Sequence, residues 1–567
     1  MSFETRRVFL KIVFVCAVFF APVAAAEKTG SGSAMVSAAN PHAVNAGVEI
    51  LRRGGSALDA AIAAQMVLNL VEPQSAGIGG GGFLLHWDEG AKKLTTFDGR
   101  ETTPRSAGGG LFVRNGKPMD WSEAASQGGA VGTPGLLAML EKAHKKHGKL
   151  KWRTLFEPAI KLSEKGFEVS PLLAGQIKKY DGKDLGKYRK ARAYFFSPSG
   201  EPLAEGSVLK NPEMAESFSS VAKKGARAFY RGRPAREISR AARSAGGLLK
   251  SSDFRRYKAV RREPVCAKYR SYTVCGMGPP TSGGLTVIQI LKLLEPFDMA
   301  SLRPLSPKAA HLFTQAARLA YADRNSHIAD PDFYKVPIRK LTDSSYLSER
   351  SRLINPRADM GRAFSGIKGC APLAQNGGAV EHPSTTHLSI VDKNGNAVSM
   401  TASIEKAFGS GLMAGGFLLN NQLTDFSFSE FGENGCLIAN RVESGKRPRS
   451  SMSPTIVFDK DGRLRLLIGS PGGSRIINYV ARTVVAVLDW GLDVQAAIGL
   501  PHYVNRNGET ELELGTKAER LAPALKKLGH KVKITELTSG LHGIEFTPGG
   551  IRGGADPRRE GISLRAD

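Results

Sequence analysis

The stretch EHPSTTHLSIVDKNGNAVSMTASIE, residues 381–405, predicts two strands joined by a tight turn and guides the interpretation of the whole chain. Polar and apolar side chains alternate over residues 386–391 and again over 397–404, which is the period of a half-buried strand. The five residues between them, DKNGN, are typical of a turn. The stretch therefore predicts a β-hairpin with Thr385 at the start of its first strand.

The type of turn decides which hydroxyl of the second strand faces Thr385. A three-residue loop with Gly395 in the left-handed conformation sets Thr385 opposite Ser403, whereas a two-residue loop shifts the register and sets Thr386 there. In both registers two hydroxyl groups come close together, and Glu405 falls on the same face as Ser403.

Thr385 is a candidate nucleophile because of this placement. If the chain is cut before Thr385, its α-amine lies beside its own Oγ and can act as the base for it, since an α-amine has a pKa of about 7.7–8.0. The alternative is an ordinary surface hairpin in which threonine is simply a good strand residue. The hairpin alone favours that simpler interpretation, and the remaining motifs reverse the balance.

Long motifs from residue 40 onwards follow one another in the order of a known family. They are NPHAVNAGVEILRRGGSALDAAIAA from Asn40, GIGGGGFLLHW from Gly77, FDGRETTP from Phe97, GPPTSGGL from Gly278, AARLAYADR from Ala316, TTHLSIVDKNGNAVSMT from Thr385, LLNNQLTDFS from Leu418, KRPRSSMSPTIV from Lys446, GSPGGSRII from Gly469 and GGADPRREG from Gly553. Through them the chain resembles the γ-glutamyltranspeptidase family of secreted N-terminal-nucleophile hydrolases. A single match such as GSPGG would be weak, but so many in one order are specific.

The resemblance implies an α+β fold, the four-layer αββα sandwich of the N-terminal-nucleophile hydrolases. It also implies a precursor that cuts itself between Ser384 and Thr385, leaving a large chain, residues 27–384, and a small chain, residues 385–567. The new amine would accept the Oγ proton as Thr385 attacks a γ-glutamyl amide, and the acyl group would pass to water or to an amino acid or peptide. We therefore expect a hydrolase and transferase that acts on small molecules such as glutathione-like compounds or glutamine.

The resemblance also assigns residues to the substrate's carboxylate and to the reacting carbonyl. Arg100 would pair with the α-carboxylate, because its planar guanidinium matches two oxygens and stays charged. Ser450 and Ser451 would donate hydrogen bonds from their hydroxyl groups to the same carboxylate. Gly472 and Gly473 would supply backbone N–H groups for the oxyanion.

Acceptor oxygens and negative charge are predicted on the ammonium side, at Glu405, Gln422 and Asp425. Two positions depart from the usual family pattern. Ser403, the second hydroxyl of the catalytic pair, stands where many members have threonine, and we expect altered processing speed rather than loss. Glu405 stands where others have asparagine and adds a negative charge beside the ammonium.

Other motifs predict neither nucleotide nor metal. Residues 77–82 match G-x-G-x-x-G, but the predicted order of helix, loop and strand is the reverse of a dinucleotide-binding loop. The histidines form no HExxH and the cysteines no CxxC, so we expect no metal and no cofactor. His387 lies near Thr385, yet a base is already supplied by the amine, and we expect a structural role for it.

The first 26 residues predict an export signal. A segment flanked by Arg and Lys is followed by an apolar stretch, residues 12–23, and by three alanines, and it is too short to remain as a membrane span. TRRVFLK from Thr5 is typical of twin-arginine signals, but paired arginines also occur in general export signals, so both routes stay open. We expect an exported protein, periplasmic or secreted, without a stable membrane span.

The cysteines predict one disulfide and leave another open. Cys16 belongs to the signal. A two-residue turn within CAKYRSYTVC would set Cys266 and Cys275 opposite each other with Cα atoms about 4.5 Å apart, within disulfide range. Cys370 and Cys436 are free or paired, and the sequence does not distinguish these states.

The net charge of +27 is concentrated in the predicted large chain. Residues 1–384 hold 57 Lys and Arg against 33 Asp and Glu, whereas residues 385–567 hold 22 against 19. We interpret this as a solvated basic surface, with weak electrostatic association with an anionic envelope as the alternative. We expect no nucleic acid partner, since no recognised binding motif is present.

Other functions stay open beside the γ-glutamyl enzyme. A related amidase, such as a glutaryl-cephalosporin acylase, would act on substrates without an α-ammonium, so Glu405, Gln422 and Asp425 argue against it. A poly-γ-glutamate depolymerase would need an open site, which residues 428–445, without tyrosine, permit. A non-enzymatic cationic envelope-binding protein would stay unprocessed, catalyse nothing and bind anionic surfaces in a salt-sensitive way.

Overall fold

The computed structural model describes residues 33–181, 185–370, 384–432 and 435–567, and the predicted export signal lies outside them. Its strands are β1 (Met35–Ala38), β2 (Gly81–Asp88), β3 (Lys93–Asp98), β4 (Val113–Arg114), β5 (Lys117–Pro118), β6 (Phe167–Glu168), β7 (Val208–Leu209), β8 (Val260–Arg262), β9 (Val265–Tyr269), β10 (Tyr272–Gly276), β11 (Thr386–Val391), β12 (Ala397–Ser403), β13 (Met413–Ala414), β14 (Phe417–Leu418), β15 (Thr455–Phe458), β16 (Leu464–Gly469), β17 (Tyr503–Asn505), β18 (Thr510–Glu513), β19 (Val532–Thr535), β20 (His542–Thr547), β21 (Gly550–Ala555) and β22 (Ile562–Arg565). Its α-helices are α1 (Pro41–Arg52), α2 (Ala57–Val71), α3 (Trp121–Ala125), α4 (Leu136–His147), α5 (Glu157–Lys165), α6 (Pro171–Lys179), α7 (Arg189–Phe195), α8 (Pro212–Lys224), α9 (Arg227–Arg231), α10 (Arg233–Ser244), α11 (Ser251–Arg256), α12 (Gly283–Leu294), α13 (Pro307–His327), α14 (Ile338–Leu341), α15 (Ser344–Ser351), α16 (Ile476–Leu488), α17 (Val494–Gly499) and α18 (Ala522–Lys527).

Two large antiparallel sheets form the centre of the fold. The first has the strand order β22-β1-β11-β12-β2-β3-β8, and the second has the order β21-β20-β16-β15-β10-β9. Helices α1 and α2 pack against the first sheet, the second sheet covers its other face, and α12 and α16 pack on the outer side of the second sheet. This is the four-layer αββα arrangement that the resemblance implies, and the fold prediction is confirmed.

The chain forms α1 and α2 where helical spacing of apolar residues predicts two core helices. Asn40 caps α1 by accepting the His42 N–H at 2.9 Å, with Pro41 in the first turn. Ser56 and Asp59 form a capping box at the start of α2. All fifteen residues of α2 are buried, so this helix lies between the first sheet and the outer helices.

The hairpin of β11 and β12 adopts the register of the three-residue loop. The Asp392 N–H donates to the Asn396 carbonyl at 3.0 Å, and Gly395 has φ +82°. Thr386 pairs with Ala402, so the residue before it faces Ser403. The alternative two-residue turn does not form.

The prediction that this hairpin is half-buried, or lies at the surface, is wrong. Both strands are buried on both faces, because the polar face packs against the second sheet instead of water. Two hydroxyl groups of that face bond to the second sheet: Ser389 Oγ donates to the His542 carbonyl at 3.1 Å, and Ser399 Oγ accepts the Thr455 N–H at 3.2 Å. An alternating pattern identifies the two faces of a strand, but it does not tell whether the polar face meets solvent or a second sheet.

Two disulfides join described cysteines. Cys266 and Cys275 face each other across β9 and β10, with Cα atoms 4.1 Å apart. Cys370 is joined to Cys436, a pairing that the sequence left open. In the described ranges, no helix is both long and apolar enough to cross a membrane.

Candidate active site

Thr385 lies just before β11 and is 4% exposed. Its N–H donates to the Ser75 carbonyl at 3.0 Å, in the loop that follows α2. Its φ is +70°, a conformation that a β-branched residue rarely adopts and that costs about 1–3 kcal/mol. The surrounding structure therefore holds the Ser384–Thr385 peptide in a strained geometry.

Ser403, at the end of β12, is the hydroxyl partner of Thr385. The two Oγ atoms are 2.8 Å apart, and Ser403 Oγ also accepts the Glu405 N–H at 2.9 Å. Both hydroxyl groups are buried. The pair is thus positioned by the hairpin register, with Ser403 able to exchange a proton with the Thr385 hydroxyl.

His387 does not contact the pair. Its Nδ1 lies 2.8 Å from Thr401 Oγ1 and its Nε2 lies 3.1 Å from Ser389 Oγ, so both ring nitrogens are engaged. Burial holds the pKa of this imidazole well below its ordinary value. These contacts agree with a structural role.

The turn after β16 lies next to the first strand of the hairpin. A Cβ added at Gly469 would meet the His387 ring at 2.3 Å, so only glycine permits this contact. Gly472 and Gly473 follow, both with positive φ, in the turn that leads into α16. Their assignment as oxyanion donors stays a prediction.

Arg100 lies two residues after the end of β3 and is fully buried. Its Nε donates to the Pro448 carbonyl at 3.1 Å and its Nη2 to the Arg449 carbonyl at 2.8 Å, while Nη2 also pairs with Asp425. Its Nη1 has no hydrogen-bond partner within the described part of the chain. Nη1 lies 3.7 Å from the Glu101 Oε2 atom. One edge of the buried guanidinium thus keeps N–H groups that donate to no described residue.

Asp425 and Gln422 belong to one short 3₁₀ turn beside Arg100. Gln422 Nε2 donates to Asp425 Oδ2 at 2.9 Å, and the Asp425 side chain is 34% exposed. The Gln422 Oε1 atom is buried and has no hydrogen-bond partner among the described residues. Carboxylate and amide oxygens therefore converge on the predicted ammonium side of the site.

Glu405 completes this acidic side. Its carboxylate accepts a hydrogen bond from Asn421 Nδ2, and its φ is +78°. Burial first, and the nearby Asp425 second, raise the pKa of Glu405 to about 8. The carboxyl group is therefore mostly protonated at neutral pH while no cation is beside it.

Ser450 and Ser451 follow the residue whose carbonyl binds Arg100. Ser450 Oγ accepts the Met452 N–H at 3.1 Å, and Ser451 Oγ accepts a hydrogen bond from Arg324 Nη2 at 2.6 Å. Both hydroxyl oxygens are thus engaged as acceptors, and neither hydroxyl proton is donated to another residue in the described ranges.

The structure also brings in residues that sequence reasoning did not assign to the site. Asn421 donates a hydrogen bond to the Glu405 carboxylate, and Arg324 donates one to Ser451 Oγ. Glu101 lies beside Arg100. All three lie within motifs that carry the family resemblance, so position in a motif was the available signal. The Ser75 carbonyl, which binds the Thr385 N–H, had no such signal because any residue can supply a backbone oxygen.

The arrangement sets a buried nucleophile pair beside a cluster of charged side chains, in which Arg100 is the cation and Asp425 and Glu405 carry the carboxyl groups. Such a cluster suits a ligand that carries both a carboxylate and an ammonium group. Over the ranges that the structure describes, no three His, Cys, Asp or Glu side chains are grouped as a metal site requires.

Comparisons with known proteins agree with this geometry. The family model described as γ-glutamyltranspeptidase matches residues 43–566. The chain is 37% identical over 550 residues to a glutathione hydrolase proenzyme of Bacillus subtilis strain 168, covering 94% of this chain and 91% of that protein. It is 38% identical over 537 residues to the glutathione hydrolase proenzyme of Escherichia coli K12, covering 92% and 90%.

A solved structure, that of cephalosporin acylase from Bacillus halodurans, superposes with a TM-score of 0.82 at 26% identity and covers 96% of this chain and 99% of that one. The fold is thus shared by γ-glutamyl enzymes and an acylase. The family model spans nearly all of the chain after residue 42, and the relatives match over nine-tenths of their length. This chain therefore belongs to the γ-glutamyltranspeptidase family.

Proposed function

We propose that the protein is a precursor that cuts itself before Thr385 and then hydrolyses or transfers γ-glutamyl groups. In the precursor, Thr385 Oγ attacks the Ser384 carbonyl carbon while its proton passes through Ser403 toward the amide nitrogen. The C–N bond of the peptide breaks, which frees the Thr385 amine, and the Ser384 acyl group forms an ester with Thr385 Oγ. Water then hydrolyses that ester, which frees the Thr385 hydroxyl and leaves Ser384 with a carboxylate. The φ of +70° supports this step, because cleavage relieves that strain.

The freed amine then serves as the base in turnover. It accepts the Oγ proton as Thr385 attacks the γ-carbonyl of the donor, and returns a proton to the leaving amine. Gly472 and Gly473 stabilise the oxyanion with their N–H groups. The resulting ester is transferred to water or to the amine of an amino acid or peptide.

The charged cluster around Arg100 selects the γ-glutamyl group. Arg100, with Ser450 and Ser451 as hydroxyl donors, binds the α-carboxylate. The α-ammonium binds Asp425 and Glu405, and its arrival stabilises the ionised form of Glu405. Gln422 also accepts a hydrogen bond from the ammonium through its amide oxygen. The ammonium partners are thus Glu405, Gln422 and Asp425.

The observation that carries this proposal is the pairing of Thr385 Oγ with Ser403 Oγ at 2.8 Å, with the Thr385 N–H held on the Ser75 carbonyl. The contacts support a nucleophile, a hydroxyl that can carry its proton and the nitrogen of the future amine lying next to one another. Each has a role in both self-cleavage and turnover.

The first test is the mass and N-terminal sequence of the purified mature protein. We expect two chains, the smaller of which begins at Thr385, while Thr385→Ala remains a single chain without turnover. A single stable wild-type chain without activity would contradict the proposal and favour the envelope-binding alternative.

An acylase on the same scaffold is the second candidate, because the cephalosporin acylase of Bacillus halodurans shares the fold. A glutaryl substrate has no α-ammonium, so it would bring no cation to Glu405 and Asp425. We expect hydrolysis of γ-glutamyl anilides to exceed that of glutaryl anilides. The reverse preference would assign the chain to the acylases.

Export is proposed from the N-terminal signal and from the disulfides. Disulfides persist in oxidising compartments, and the Cys266–Cys275 and Cys370–Cys436 bonds suit a periplasmic or secreted protein. Weak electrostatic association with an anionic envelope is proposed from the +27 net charge, and elution from anionic vesicles by added salt would test it.

A further inference from the structure

A buried arginine lies on the Ser384 side of the cleavage bond, where the steps above assign no residue. Arg559 follows β21 and is 8% exposed. Its Nε donates to the Ser539 carbonyl at 3.2 Å, and its Nη2 donates to the Ser384 carbonyl at 3.5 Å, the outer limit of a hydrogen bond. Its Nη1 is buried without a hydrogen-bond partner in the described part of the chain.

The surroundings do not neutralise this guanidinium by direct contact. No described carboxylate forms an ion pair with Arg559. Burial lowers the pKa of Arg559, whereas Glu72, Asp556 and Glu560 favour its charged form from farther away. Glu72 is itself fully buried, and burial raises its pKa to about 7 against the opposing influence of Arg559. Burying a guanidinium without a paired carboxylate is costly, and the donors are directed at peptide oxygens instead.

One of those oxygens belongs to the bond that is cut. When Thr385 Oγ attacks, the Ser384 carbonyl oxygen changes from a neutral acceptor into an oxyanion. A hydrogen bond from a cation to an oxyanion is shorter and stronger than one to a neutral carbonyl, so the contact at 3.5 Å tightens as the charge develops.

We propose that Arg559 is a catalytic residue of self-cleavage, distinct from the donors that serve turnover. As the Oγ–C bond forms, the electron pair of the Ser384 C=O bond moves onto its oxygen, where Arg559 stabilises it. The pair returns as the C–N bond breaks, and the proton lost from Oγ is gained by the Thr385 nitrogen. Arg559 keeps its proton throughout, because guanidinium is not deprotonated in proteins. This inference rests on the proposed self-cleavage.

The test follows cleavage of the full-length precursor made by cell-free translation, sampled over time by intact mass. We expect Arg559→Ala to lower the cleavage rate about 10²- to 10³-fold, as loss of one oxyanion donor does. Arg559→Lys keeps the positive charge, so its cleavage rate should be at least tenfold higher than that of Arg559→Ala. Arg318→Ala is the matched control, since Arg318 is also buried and pairs with Asp359 without a contact to the cleavage bond.

The outcomes distinguish a failure of the proposed role of Arg559 from a failure of the proposed self-cleavage. Failure of the wild-type precursor to cleave would overturn the proposed self-cleavage itself. Wild-type cleavage with an equally fast Arg559→Ala would overturn the role of Arg559 alone. If Arg559→Ala, Arg559→Lys and Arg318→Ala slow cleavage equally, with matching falls in melting temperature, the residue is structural and the inference is wrong. Slow cleavage of Arg559→Ala with a near-native melting temperature and rescue by lysine supports it.

Discussion

Replacing Glu405 by glutamine should remove a pH dependence that is specific to γ-glutamyl donors. Burial, with Asp425 adding to it, raises the pKa of Glu405 to about 8, while Asn421, Lys406 and Arg100 act in the opposite direction. In the empty site at pH 7 this carboxyl group is therefore mostly protonated, and it must lose that proton to pair with an α-ammonium. Since a raised pKa favours the neutral form below pH 8, γ-glutamyl binding should strengthen as the pH rises toward 8.

The size of the effect follows from the pKa. Each pH unit below about 8 adds about 1.4 kcal/mol to the cost of ionising Glu405, which is about tenfold in affinity. Between pH 6 and pH 7 the contribution of Glu405 should thus change nearly tenfold. Above pH 8, Glu405→Gln should lose the charged hydrogen bond, about 1.5–3 kcal/mol or about 10- to 150-fold in kcat/KM.

The assay must separate Glu405 from the Thr385 amine, whose reference pKa of about 7.7–8.0 lies in the same range. A glutaryl anilide lacks the ammonium group and reports the amine alone, so the ratio of kcat/KM for γ-glutamyl and glutaryl anilides isolates Glu405. In the wild type this ratio should rise about tenfold from pH 6 to pH 7, and in Glu405→Gln it should be flat. A ratio that keeps the wild-type slope in Glu405→Gln would refute the reasoning.

Three further perturbations test other parts of the site. Thr385→Ala should give one uncleaved chain and no turnover, as measured by intact mass and anilide hydrolysis; any activity from it would end the nucleophile assignment. Arg100→Lys keeps the charge but loses the planar fork, and should raise the KM for γ-glutamyl donors about 10- to 100-fold, whereas unchanged kinetics would remove Arg100 from the site. Cys370 precedes the cleavage bond and Cys436 follows it, so their disulfide should join the two processed chains. On a denaturing gel the processed wild type should therefore run as one band without reductant and as two bands with it. Cys436→Ser should separate into two bands without reductant, and a wild type that already does so would contradict the inter-chain disulfide.

The hairpin shows how far the sequence alone could be taken. Its strands, turn and the two candidate registers follow from residues 386–404, but choosing the register required the structure, because one residue of loop length exchanges Thr385 for Thr386 opposite Ser403. Its burial was mispredicted, since alternation does not reveal the second sheet that covers the polar face.

Family motifs assigned residues to the candidate site, an assignment that stays a prediction, but they did not give the arrangement of those residues. Arg100, Gln422 and Asp425 were assigned through family motifs, and the structure brings these three side chains into direct contact. That contact joins residues more than three hundred positions apart, which no local pattern encodes. Arg559 was not predicted for the same reason, because its hydrogen bond to the Ser384 carbonyl joins residues that are distant in sequence and adjacent only in the folded chain.

The Ser75 carbonyl connects the two reactions of Thr385. It accepts the Thr385 N–H at 3.0 Å while that nitrogen is still an amide, and it also accepts the Ile404 N–H at 3.3 Å from the end of the hairpin. The amine produced by cleavage keeps hydrogens to donate to the same oxygen, so the nitrogen can remain where the strands place it. The base of turnover would then be positioned beside Oγ before the first substrate arrives, and no rearrangement would be required between self-cleavage and catalysis.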